Sequence, residues 1–216
     1  MNRMAYFLGN YIASKLSFDD DRREIITYGL FVLVHNLSIL LIILLVALIT
    51  GLLKEIAIVM FAYAPLRRFG GGLHLSKPVF CMVSSIIIFP LLGFTTVVMS
   101  DYLLYLAPFG KYAIFLLITS ITLLAVILYA PREHPNHPLS VSRRVFLKRL
   151  TFIVALILTA LLISIVSCGV GYLREAAAIS MAFIFLSFNL LPVGKVYLEK
   201  LDRFFSHFFQ KEVKGL

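Results

Sequence analysis

The sequence predicts an all-α, polytopic membrane protein of about six transmembrane helices. The second helix is short, and amphipathic helices lie on the membrane at both ends. Two compositional observations lead there. Of the 216 residues, 61% are hydrophobic and the mean hydropathy is +0.97, whereas a soluble domain is closer to half apolar. Several apolar runs also reach the roughly 17–25 residues needed to cross a bilayer. The third observation is how the charges are shared between the segments separating those runs.

The spans read as Ile25 to Ile49, Lys54 to Leu66, Val79 to Met99, Tyr112 to Ala130, Leu150 to Cys168 and Ala176 to Pro192. With these, 17 of the 20 Lys and Arg residues fall on one side, and only Lys54, Lys111 and Arg174 on the other. Positive-inside bias puts the rich side, both termini included, in the cytoplasm. A five-span map would break the alternation. The whole chain, 1–216, reads as one membrane-embedded domain: an interfacial helix over 1–24, a six-span core over 25–192 and a second interfacial helix over 196–212. The start, Met1-Asn2-Arg3-Met4, shows no signal-peptide pattern.

The ends carry helical periodicity. Leu198, Leu201, Phe204, Phe205, Phe208 and Phe209 share one face, with Glu199, Asp202, Arg203, Ser206, His207 and Gln210 opposite. Such a helix lies in the membrane surface. Met4, Leu8, Ile12 and Leu16 make a similar stripe near the N-terminus. The basic side suits anionic lipid or an acidic peptide; no nucleic-acid partner is expected.

The second span is 13 residues, about 20 Å as a helix against a hydrocarbon core of about 30 Å. Pro65 is expected to end it. The run that follows, Arg67-Arg68-Phe69-Gly70-Gly71-Gly72-Leu73-His74, then reads as a basic glycine loop sunk into the cytoplasmic half of the membrane. Irregular backbone at that depth needs protein or a wet cavity around it. The glycines let backbone pass close to a substrate and adopt positive φ. Seven residues after His74 stands Cys81. On one continuous helix the two would be about 10 Å apart along the axis. Pro78 removes the difficulty. With Ser76 as N-cap and the third span starting at Lys77 or Pro78, Cys81 lies in the first turns and His74 outside the helix. The positive helix end and Arg67, Arg68 and Lys77 favour thiolate, apolar burial opposes it, and His74 is the available base. A Cys and a His are the minimum for nucleophilic acyl transfer.

The other polar candidates are weaker. Cys168 reads as packing. His35 and Asn36 lie inside the first span and Asn189 near the end of the sixth, where polar groups are costly; an interhelical hydrogen bond is the simpler account. His134 and His137 flank Pro135 with no further ligands nearby, so they read as loop histidines. No metal or other cofactor is expected.

The run R-R-F-G-G-G-L-H at 67–74, with Cys81 beyond it, resembles the AgrB family, the membrane peptidases of Gram-positive quorum sensing. The proline-rich segment from Ala130 to Leu139 resembles that family's cytoplasmic loop, and the resemblance covers essentially the whole chain. It implies a cysteine endopeptidase in the cytoplasmic membrane, acting on an AgrD-like precursor peptide and working as a homodimer. Carried over, Cys81 is the nucleophile and His74 the general base, and Arg67 and Gly72 fall at positions the family needs for activity. Arg67, Arg68, Gly70, Gly71 and Gly72 become candidates for holding substrate or oxyanion. Arg143 and Arg144 become candidates for holding the precursor's acidic tail. The rival reading is a small six-span exporter of a peptide or ion, which requires polar residues along a path through the membrane.

Overall fold

The structure, a computed structural model, describes residues 2–16, 19–72, 75–133 and 139–214, without the side chains of 2–5 and 208–214. It is all-α: α1 (Asn2–Lys15), α2 (Asp20–Ile49), α3 (Leu53–Gly70), α4 (Pro78–Leu104), α5 (Pro108–Tyr129), α6 (Val141–Ser167), a 3-10 turn (Val170–Tyr172), α7 (Leu173–Leu190) and α8 (Pro192–Lys214). Local chemistry sets the starts. Asp19 caps α2 by accepting from the Arg22 N–H, and Ser140 caps α6 by accepting from the Arg143 N–H. α4 and α5 open on Pro78 and Pro108, where the missing N–H costs no helix bond.

Five segments are long and apolar enough to cross a membrane: α2, α4, α5, α6 and the stretch Val170–Leu190. The chain is a multi-pass membrane protein. α7 is its axis. Ala176, Ala177, Ala178, Ser180 and Ala182 are fully buried, and these small side chains let α3, α4, α5 and α6 pack closely round it.

α3 departs from expectation. It does not stop at Leu66 but runs through Pro65 to Gly70, 18 residues in all, or about 27 Å. Pro65 removes the one bond that would reach the Phe61 carbonyl. Burial compensates: Ile56, Val59, Ala62, Tyr63, Leu66 and Gly70 form one continuous buried face across the proline. Four charges at its ends, Lys54, Glu55, Arg67 and Arg68, keep α3 off the strictly apolar count. It still covers the depth of α7. At one face of the molecule Lys54 pairs with Glu175 at 2.5 Å and Arg174 with Glu55 at 3.6 Å. At the other face Gly70 packs on Leu186 and Thr151.

The ends also differ in detail. α2 starts at Asp20, before the expected Ile25, and α6 at Val141, before Leu150, so Arg143 and Arg144 stand on a helix. α1 packs on α2 through Gly9 and Ala13, with Leu16 exposed; a Cβ at Gly9 would overlap the Thr27 hydroxyl. α8 begins directly after α7 and folds back onto it.

Candidate active site

At the face where α3 and α7 end, a cavity of about 440 Å³ opens between α2, α3, α4, α7 and α8. Cys81 lines it, one turn into α4, its N–H reaching the Lys77 carbonyl at 3.4 Å. The thiol is half-buried. The Leu75 N–H donates to Cys81 Sγ at 3.4 Å. The sulfur therefore sits at the N-terminal end of a helix with a backbone donor pointing at it.

Arg67 lines the same cavity from the last turn of α3. Its Nη1 donates to the Gly71 carbonyl at 3.3 Å, and its guanidinium lies beside Tyr63. The two glycines after the helix are there for different reasons. Gly71 has φ +68° and its Cβ would overlap the Arg132 carbonyl. Gly72 has φ +150° and its Cβ would overlap the Arg67 guanidinium. The Arg132 N–H donates to the Gly70 carbonyl at 2.9 Å, and Arg132 Nη1 to the Leu190 carbonyl at 2.7 Å. Arg132 thus ties the glycine turn to the end of α7.

The structure brings together some of the residues expected from sequence and separates others. Cys81 and Arg67 line one cavity, and the Gly71–Gly72 turn packs against Arg67. Arg68 and Gly70, expected in a loop, are helical: Arg68 is exposed and Gly70 is buried against Thr151, so neither lines the cavity. Arg143 is exposed, and Arg144 pairs with Glu133 at 2.7 Å. His74, like His134 and His137, lies outside the described residues. Ser76 is not the N-cap of α4. That position is Lys77, without a side-chain cap bond.

His35, Asn36 and Asn189 all line the cavity. Among the described residues they do not make the expected interhelical bond. His35 stacks on Phe31 with centroids 6.0 Å apart, and Asn189 Nδ2 donates within its own helix to the Phe185 carbonyl at 2.8 Å. Three residues that sequence reasoning missed also belong here. Arg132 looked like one more positive-inside flanker. Ser84, one turn beyond Cys81, lines the cavity with a buried hydroxyl that has no partner among the described residues. Asp202 looked solvated, yet its carboxylate accepts from both the N–H and the hydroxyl of Ser76, at 3.0 and 2.8 Å.

The family model described as Accessory gene regulator B matches residues 5–190. The chain belongs to the AgrB family. Curated AgrB relatives are similar over shorter stretches. "Putative AgrB-like protein 2" of Clostridium perfringens (strain 13 / Type A) is 29% identical over 94 residues, 44% of each chain. A "Putative AgrB-like protein" of Listeria monocytogenes serovar 1/2a is 30% identical over 158 residues, 71% of this chain and 72% of its own. The chain thus spans less than half the length of the Clostridium relative it matches. No solved structure gives a significant match. The AgrB match takes in Arg67, the glycine turn and Cys81, and it ends where α7 ends.

Proposed function

We propose that this AgrB-family chain is a membrane-embedded cysteine endopeptidase. It removes the C-terminal tail of an AgrD-like precursor peptide, with both termini and the glycine turn facing the cytoplasm. The observation that supports this best is Cys81 itself: half-buried at a helix start, with a backbone donor on its sulfur, in a cavity that Arg67 also lines.

His74 takes the proton from Cys81. The thiolate attacks the carbonyl joining the signal core to the tail, and Arg67, which lines the same cavity, is the donor to the developing oxyanion. The C–N bond breaks, the tail leaves as an amine with the proton returned by His74, and the core stays on Cys81 as a thioester. A Cys or Ser of the core then attacks the thioester, gives its proton to His74 and closes a thiolactone or lactone ring, freeing Cys81. Exchange of one thioester for another is nearly even in bond energy, so the enzyme's task is to keep water away meanwhile. A cavity walled by five helices serves that task.

The test is mass spectrometry on the full-length protein in liposomes with an AgrD-like precursor. A released tail and an acyl adduct on Cys81, both lost in Cys81→Ala and His74→Ala, are expected. Intact precursor alongside folded protein overturns the reading.

A further inference from the structure

The AgrB match ends at residue 190, so α8 lies wholly outside it. Yet α8 builds one wall of the cavity through Tyr197, Leu198 and Leu201. It also grips the segment that carries Cys81 at two points. Asp202 Oδ1 accepts from the Ser76 N–H at 3.0 Å and from Ser76 Oγ at 2.8 Å. Phe205 packs on Phe80, the residue before Cys81, with ring centroids 5.3 Å apart. Ser76 directly follows Leu75, whose N–H is the donor on Cys81 Sγ. Holding Ser76 therefore fixes the next peptide unit and, through Leu75, the placement of this donor.

We propose that α8 is a working wall of the site and that Asp202 is a positioning residue for the nucleophile, acting through Ser76. The proposal rests on the peptidase reading and adds a residue to it. A helix that only lay on the membrane surface would turn its acidic side chains to water. Glu199 does so: it is exposed and pairs with Lys195 on its own helix at 3.8 Å. Asp202, three residues on, is partly covered and bonds a residue 126 positions away in the chain. Both bonds converge on one carboxylate oxygen, Oδ1. They span the turn between the glycine segment and α4, where a small misplacement is costly for the reaction.

The experiment measures kcat and KM for tail release by the full-length protein in liposomes, with a synthetic AgrD-like precursor. Asp202→Ala is expected to lower kcat by about tenfold or more, as for a displaced reacting group, with KM little changed. Asp202→Asn keeps an acceptor oxygen and is expected to recover most of that loss. Ser76→Ala keeps the backbone N–H bond and is expected to fall between. Glu199→Ala on the same helix is the control and is expected to match wild type. Should Asp202→Ala fail to fold, the Asn and Ser76 variants carry the test. Wild-type kcat in Asp202→Ala overturns the proposal and leaves the peptidase standing. So does a rise in KM alone, and so does an Asn variant as impaired as the Ala one. A wild-type protein that releases no tail overturns both.

Discussion

The backbone of Gly72 lies against the guanidinium of Arg67, with no room for a methyl group between them. The positive φ of Gly72 adds a second reason for glycine, because an L side chain there is strained by about 1–3 kcal/mol. Gly72→Ala must therefore push Arg67 aside or open the turn. Cleavage is expected to fall about 100-fold, the scale of a displacement near 1 Å at a reacting centre. Precursor cleavage by membranes carrying equal amounts of each protein checks this; activity near wild type would show that Arg67 need not hold its place.

Arg67 and Arg68 are adjacent in sequence but face different surroundings. Arg67 lines the cavity and bonds Gly71, whereas Arg68 is exposed and outside the cavity lining. Arg67→Ala and Arg67→Lys are both expected to lose most activity, because a lysine cannot make the forked contacts of a guanidinium. Arg68→Ala is expected to stay within about threefold of wild type, as surface charges contribute little. Equal losses at the two positions would contradict the division.

How far the site could be read from sequence depends on how local each feature is. The start of α4 at Pro78, the place of Cys81 in its first turns and a positive φ among the glycines follow from short-range rules, and they were legible; which glycines need it, and the Arg132 carbonyl against Gly71, were not. The continuation of α3 past Pro65 was not, because it depends on a buried face pressed on α7. Ser76 carries the signature of an N-cap, but a partner 126 residues away claims its hydroxyl. Asp202 fits the polar face of α8 by periodicity. Periodicity tells which residues share a face, and here a neighbour covers part of the face expected to be wet.

Arg132 is the next case where a distant bond decides. Its side chain reaches the last carbonyl of α7 at 2.7 Å while its backbone holds the Gly70 carbonyl at 2.9 Å. Arg132→Ala leaves the Leu190 carbonyl without this charged donor, a bond of about 1.5–3 kcal/mol. The expected result is a lower melting temperature in detergent together with reduced cleavage, since the glycine turn hangs on the same residue. A variant with unchanged melting and unchanged turnover would show that the tie is idle.

Two buried serines give opposite predictions from the same chemistry. The Ser187 hydroxyl donates back to the Phe183 carbonyl at 2.9 Å and meets the Thr122 hydroxyl at 2.9 Å. Ser84, equally buried, has no partner for its hydroxyl among the described residues. A made hydrogen bond contributes about 0.5–1.5 kcal/mol, whereas an unsatisfied buried hydroxyl costs about 1–3 kcal/mol. Ser187→Ala should therefore lower thermal stability modestly, since Thr122 keeps its bond to the Ile118 carbonyl at 2.9 Å. Ser84→Ala should leave it unchanged or raise it, since the alanine removes a group that the fold leaves unmatched. Paired melting curves in one detergent decide the matter. A Ser84→Ala variant less stable than Ser187→Ala would mean that the Ser84 hydroxyl has a partner in the folded protein after all.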